Sequence, residues 1–197
     1  MAELTYQNKI GVLWCIERGY LDILKILDKK GIITKIDEYI VACAKYGMID
    51  IMEYLVQEFN INAISDAAMV EAIKGNHLAC VKYLTDCGTP LVSASNPLLI
   101  AINNKNFEMI NYILSQPDNF APILESALKL AVKDCSVKIV NLIITEAGIS
   151  STTLTDENYI LMHDAIAIAL ANNNMEVVHY LAEVVLGIDW RVVIIDD

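Results

Sequence analysis

A seven-residue pattern occurs six times along the chain, and this repetition constrains the fold more than any other feature. Each copy reads apolar, polar or small, apolar, apolar, polar, apolar, apolar, as in Leu21–Leu27. The six copies are residues 21–27, 49–55, 78–84, 107–113, 137–143 and 175–181, and they start 28, 29, 29, 30 and 38 residues apart. Because apolar positions three and four apart lie on one helical face, each copy predicts an amphipathic helix.

A second periodic segment precedes each copy and predicts a partner helix. Six positions before every copy stands a small residue, which suits a place where two backbones approach closely. These residues are Cys15, Cys43, Ala72, Ala101, Ala131 and Ala169. Each unit is therefore predicted to be a short helix, a tight turn and a slightly longer helix. Since one such pair cannot cover its own apolar face, neighbouring pairs must stack, and the predicted fold is an all-α solenoid of about six helix-turn-helix repeats.

The predicted organisation is a single repeat domain spanning residues 1–197. Its repeats cover about residues 8–35, 36–64, 65–93, 94–122, 123–160 and 161–186, with residues 187–197 as a C-terminal cap or tail. The long last interval contains a polar insertion, Ser150–Asn158, which is predicted to be a surface loop. Asn96, Ser126 and Asp164 share one aligned position and are predicted to cap the first helix of their repeats.

One aligned position marks the turn between the two helices of each repeat. A positive φ angle, which glycine and asparagine tolerate best, is expected there. The position holds Gly19, Gly47, Asn76, Lys105, Cys135 and Asn173, of which Lys105 and Cys135 fit poorly. His77 follows one of these turns, where its imidazole is expected to bond to a neighbouring turn.

These residues resemble ankyrin repeats. Asn96–Ile102 is similar to the family's Thr-Pro-Leu-His opening with the proline kept, and Gly19-Tyr20-Leu21 and Asn76-His77-Leu78 are similar to its Gly-His-Leu turn. The spacing is shorter than the family's period of about 33 residues, so the inter-repeat hairpins or loops are expected to be short. Short repeats rich in isoleucine and asparagine resemble those of large DNA viruses and amoebal intracellular pathogens. A protein from such a source would act on host proteins.

The resemblance implies a non-catalytic protein–protein interaction module that binds a partner protein through its concave face. That face would include the exposed ends of the first helices. The predicted partner-binding residues are Arg18, Lys45, Tyr46, Lys74, Asn103, Asn104, Lys133 and Asn172. Tyr46 and Arg18 rank first, because tyrosine and arginine are enriched at interface hot spots.

Charge and composition argue against several other functions. The formal net charge is −11, with 5 basic and 13 acidic side chains in residues 99–197, which disfavours nucleic-acid binding. No apolar run is long enough for a membrane span. Five irregularly spaced cysteines and an N-terminus without a basic, then apolar, pattern favour a reducing, cytoplasmic location, in the host cytosol for a viral or effector protein.

No motif for catalysis, a cofactor or a metal ion occurs, so the chain is predicted to be no enzyme and to need neither. A Cys135–His163–Asp164 arrangement, in which histidine activates a thiolate, stays open as a hydrolase alternative. A second alternative is a homo-oligomerising structural protein. Its self-association would use the apolar tail, through Trp190 and Val192 to Ile195, which could instead fold back as a cap.

Overall fold

The computed structural model describes residues 2–91, 96–117, 120–150 and 155–188, with side chains from residue 7 onward. Every regular element in these ranges is a helix, which confirms the all-α fold class. None of these helices is long and apolar enough to cross a membrane. The chain divides into two compact units, Met1–Ile100 and Ala101–Asp197. The single-domain assignment stays a prediction.

The first unit contains three helical pairs arranged in two layers. Its helices are α1 (Ala2–Glu17), α2 (Leu21–Lys29), α3 (Ile36–Tyr46), α4 (Ile49–Glu58), α5 (Asp66–Lys74) and α6 (Leu78–Asp86). Helices α1, α3 and α5 pack side by side, and α4 packs against α6 in the other layer. Helix α7 (Pro97–Asn103) includes residues of both units.

The second unit has the same layered arrangement. Its helices are α8 (Phe107–Leu114), α9 (Ala121–Asp134), α10 (Val137–Glu146), α11 (Asp156–Ala171) and α12 (Met175–His179), which continues as a π-helical segment, Tyr180–Leu186. Helix α9 packs against α11, and α10 packs against α8 and α12.

Small side chains let the paired helices approach each other, as the repeat pattern predicts. All six predicted small residues are buried, with Cys15 at 3% exposure and the other five fully enclosed. Larger apolar residues of the second helices fill the space between the layers; examples are Met52, Leu55 and Val140, all at 0% exposure. Burial of this apolar surface is the main force that holds the helical pairs together.

The turns between paired helices adopt the predicted positive φ in five of the six repeats. These angles are 73° at Gly19, 73° at Gly47, 59° at Asn76, 54° at Lys105 and 57° at Asn173. The expectation that Lys105 fits poorly is therefore wrong for its backbone. Its side chain extends to Asp134, and the two charged atoms lie 2.5 Å apart.

Cys135 is the exception among the turn residues. Its φ is −84°, and the residue is buried at 3% exposure. Its Sγ donates a hydrogen bond to the Ile102 carbonyl oxygen at 3.6 Å. The thiol therefore points inward at a place where the other repeats turn with a left-handed residue.

The predicted helix starts are wrong in two repeats. Ser126 and Asp164 lie inside α9 and α11, which begin five and eight residues earlier, at Ala121 and Asp156. Thr155 caps α11 instead, because its Oγ1 accepts a hydrogen bond from the Asn158 amide at 3.2 Å. His163 consequently lies within α11 and does not precede it.

Two further predictions, the extent of the inserted loop and the relative lengths of the paired helices, are wrong in part. The end of the predicted insertion loop, residues 156–158, forms the first turn of α11, and residues 151–154 lie outside the described residues. The prediction that the second helix of a repeat is slightly longer is wrong for α1 and α2, α3 and α4, and α9 and α10, where the first helix is the longer one.

Gly11 offers a test of α1, because it lies in the helix interior with open space around it. A Cβ atom built at this position meets no atom within 4 Å outside its immediate surroundings. Gly11→Ala is expected to raise the free energy of unfolding by about 0.5–1 kcal/mol, since alanine loses less backbone entropy on folding. Urea denaturation measures the change, and a destabilised variant would contradict a continuous α1 at this residue.

Candidate functional site

The predicted partner-binding residues all follow a small residue and an adjacent apolar residue near the end of a first helix. Six are exposed to solvent and two are half-buried. The exposed residues are Arg18, Lys45, Lys74, Asn103, Lys133 and Asn172, and the half-buried ones are Tyr46 and Asn104. Their location at the surface permits contact with a partner, and their binding role stays a prediction.

Two of these residues contribute to a groove in the first unit. The groove lies between α1 and α3 and has a volume of about 460 Å³. Its lining includes Ile10, Leu13, Trp14, Val41, Lys45 and Tyr46. The structure thus brings Lys45 and Tyr46 together with an apolar stripe of α1.

Trp14 is the main groove residue that the repeat pattern did not predict. Its side chain is 49% exposed, beside Ile10 at 45%. The ring packs against Tyr20 with 5.2 Å between ring centroids and 59° between the ring planes. The alignment of the repeats could have indicated Trp14. It aligns with Ala42 of the next repeat, so a large aromatic ring lies where α3 carries a methyl group.

Charged residues lie at both ends of the groove. At one end Lys9 pairs with Glu38, which also accepts a hydrogen bond from Lys35 at 3.2 Å. Hydrogen bonds from Lys9 and then Lys35 hold the pKa of the Glu38 carboxyl below its usual value. At the other end the Lys45 ammonium lies 5.4 Å from the Tyr46 ring centroid, a cation–π distance.

His77 fixes the end of α3 that carries Lys45 and Tyr46. Its Nε2 donates a hydrogen bond to the Lys45 carbonyl oxygen at 3.1 Å, which confirms the predicted bond between neighbouring turns. Two glycines make room for the ring, because a Cβ atom at either Gly47 or Gly75 would overlap it. The imidazole is therefore held between the turns of the second and third repeats.

Asn174 makes the corresponding connection in the second unit. It aligns with His77 in the repeat register. Its Nδ2 donates to the carbonyl oxygens of Val132 at 3.0 Å and Cys135 at 3.1 Å. These two bonds hold the end of α9, where Lys133 is exposed, against the turn that precedes α12.

The remaining predicted residues lie apart from the first groove. Lys74 forms an ion pair with Glu71 at 2.8 Å. Asn172 donates from Nδ2 to the Ile168 carbonyl oxygen of its own helix at 2.8 Å. A groove between α9 and α11 in the second unit is lined by none of the predicted partner-binding residues.

The environment of Cys135 disfavours the thiolate hydrolase alternative. Burial raises the pKa of the Cys135 thiol, whereas a nucleophilic cysteine needs a lowered one. His163 lies in α11 with its ring centroid 4.5 Å from that of Tyr159.

The apolar tail residues Trp190 and Val192 to Ile195 lie outside the described residues, so self-association through them stays a prediction.

Comparison with known proteins adds one finding. Residues 40–123 match the family model described as ankyrin repeats (3 copies). The matched range begins within α3, includes the turn with His77 and ends within α9. No curated protein matches the chain.

Proposed function

We propose that the chain binds a partner protein through the groove between α1 and α3, because residues 40–123 match the ankyrin-repeat family model and such repeats are protein–protein interaction modules. The observation that carries this proposal is the convergence of Trp14, Lys45 and Tyr46 in one groove. Aromatic residues of this kind dominate the binding energy of protein interfaces.

The size and surface of the groove suit an apolar side chain of a partner. A volume of about 460 Å³ accommodates one or two large side chains. Trp14 is 49% exposed, so its complete burial on binding would contribute about 2 kcal/mol through the hydrophobic effect.

The charged residues around the groove indicate what should flank the partner's apolar side chain, here called the apolar anchor. Lys45 at the groove and the exposed Arg18 after α1 make this region more basic than the chain as a whole. An acidic or polar segment beside the apolar anchor would therefore be favoured electrostatically. Glu17, which also lines the groove, weakens this preference without reversing it.

The proposal also covers the cellular compartment of the protein and the kind of organism that it comes from. All five cysteines are free thiols, which supports a reducing, cytoplasmic environment. Repeats rich in isoleucine and asparagine support a virus or intracellular pathogen as the source. In that setting the partner would be a host protein in the host cytosol.

Affinity capture from a cytosolic lysate tests the binding site. The bait proteins are the wild type, the Tyr46→Ala/Arg18→Ala variant and a matched Tyr159→Ala/Lys138→Ala control, in which two exposed residues of the second unit outside the predicted partner-binding set are replaced. A partner retained by the wild type is expected to fall at least tenfold with the first variant, because truncating hot-spot residues costs more than 1 kcal/mol. The control should retain it, as measured by quantitative mass spectrometry.

Equal retention of that partner by the wild type and the Tyr46→Ala/Arg18→Ala variant would exclude the proposed site. Circular dichroism of each bait excludes unfolding as the cause of any loss.

A further inference from the structure

The second unit carries another exposed apolar groove, between α9 and α11. It has a volume of about 360 Å³. Its apolar lining residues include Leu124, Leu128, Ile149, Ile160 and Leu161. Ile160 is 63% exposed, which is unusual for an isoleucine on a helix that also contributes to a core.

Three carboxylates lie along the edges of this groove. They belong to Glu125 of α9 and to Glu157 and Asp164 of α11. The side chains of Glu125 and Asp164 are 65% and 56% exposed, so they can reach a bound molecule. Residues 99–197 carry 13 acidic and 5 basic side chains, which adds a negative field to this unit.

Lys129 shows how a cation binds at this edge. Its Nζ lies 2.8 Å from a carboxylate oxygen of Glu125 and 3.6 Å from one of Asp164. One ammonium group thus contacts carboxylates of both helices. The three groove carboxylates carry more negative charge than this single lysine neutralises.

The location of the groove separates it from the predicted partner-binding residues of the same helices. Glu125, Leu124 and Glu157 lie in the parts of α9 and α11 that precede the helix starts expected from the repeat pattern. Lys133 and Asn172, by contrast, lie at the opposite ends of these helices. The helix extensions, including the first turn contributed by the inserted residues, therefore build a surface of their own.

We propose that the groove between α9 and α11 is a second docking site, and that it binds a segment of another protein in which a large apolar side chain is flanked by lysine or arginine. The apolar lining accepts the large side chain, and the carboxylates along the edges bind the flanking cations. An acidic segment is repelled by the same carboxylates.

A labelled peptide tests this site directly. The probe is a fluorescein-labelled peptide with two central leucines flanked by two lysines on each side. Two matched peptides carry glutamate for lysine or alanine for leucine. Fluorescence anisotropy at low salt is expected to show that the lysine–leucine peptide binds at least tenfold more tightly than either matched peptide.

Variants of the protein assign the binding to the groove. Glu125→Gln/Asp164→Asn is expected to weaken the lysine–leucine peptide about tenfold, and Ile160→Ala should weaken it several-fold. Lys129→Met should strengthen binding, because it frees two carboxylates while keeping an apolar stem. The control Glu146→Gln/Glu176→Gln makes the same change in net charge at exposed residues outside the groove and should change the affinity less than twofold.

Three outcomes would overturn the proposal. They are equal binding of the lysine–leucine and glutamate–leucine peptides, equal losses in the groove variant and the charge control, and loss of peptide binding in Tyr46→Ala/Arg18→Ala. The last outcome would assign the peptide to the groove between α1 and α3. Failure of the second docking site thus remains distinguishable from failure of the first.

Discussion

Gly47→Ala is expected to lower the free energy of unfolding by about 3 kcal/mol, a loss well above that of most point mutations. Two physical costs combine at this turn. Gly47 has a φ of 73°, where an L side chain costs about 1 kcal/mol. The new Cβ would also overlap the His77 ring, and overpacking of this kind costs about 2 kcal/mol.

Gly19→Ala is the matched control for this prediction. Gly19 has the same φ of 73°, but the new Cβ would meet only the Met48 sulfur, at an ordinary contact distance of 3.4 Å. It should therefore cost only about 1 kcal/mol. In a His77→Ala background, the cost of Gly47→Ala should fall to that same value. Urea denaturation gives all three costs, and equal losses at Gly19 and Gly47 would show that the imidazole does not occupy the turn.

Asn174→Ala is expected to destabilise the protein by about 2 kcal/mol, the second-largest effect. The change removes both hydrogen bonds from Nδ2 to the Val132 and Cys135 carbonyl oxygens. Each such bond contributes about 1 kcal/mol, and the two part-buried carbonyls would lose their side-chain donor. Asn174→Asp should cost at least as much at neutral pH, since a carboxylate cannot donate to a carbonyl.

Asn172→Ala provides the comparison two residues away. Its Nδ2 donates to a carbonyl of its own helix from an exposed position, so its loss should change the free energy of unfolding by less than about 0.5 kcal/mol. Thermal or urea unfolding of both variants separates the two cases. A loss at Asn174 as small as that at Asn172 would mean that its bonds do not connect the repeats.

One of these two turn residues, His77, links stability to the surface that we propose for binding, whereas Asn174 supports a helix end outside that groove. His77 fixes the end of α3 that carries Lys45 and Tyr46, and Asn174 fixes the end of α9 beside Lys133. Side chains on rigid helix ends lose less conformational entropy when a partner binds.

Periodicity made the interior of the fold predictable. The small residues at Cys15, Cys43 and Ala72 identify where helices approach, because apolar spacing determines which side of a helix faces its neighbours. The turn position was predictable for Gly19 and Gly47 from their conformational freedom. The positive φ at Lys105 was not predictable, because nothing in the lysine side chain favours it and the surrounding turn imposes it.

Helix starts and grooves were harder to predict, for different reasons. Ser126 and Asp164 are good capping residues, yet a helix begins where the first effective cap occurs, and Thr155 comes earlier for α11. The groove of Trp14 and Tyr46 joins residues of two adjacent repeats. Aligning the repeats would have placed Trp14 opposite Ala42, but only the packing of α1 on α3 shows that the difference leaves a groove.

Amide hydrogen exchange of the wild-type protein, with and without the partner obtained by affinity capture, tests the central claim most directly. Slower exchange on binding is expected in peptides covering the last two turns of α1 and α3, which carry Trp14, Lys45 and Tyr46. Protection confined to other helices, with α1 and α3 unchanged, would contradict a partner-binding groove between them.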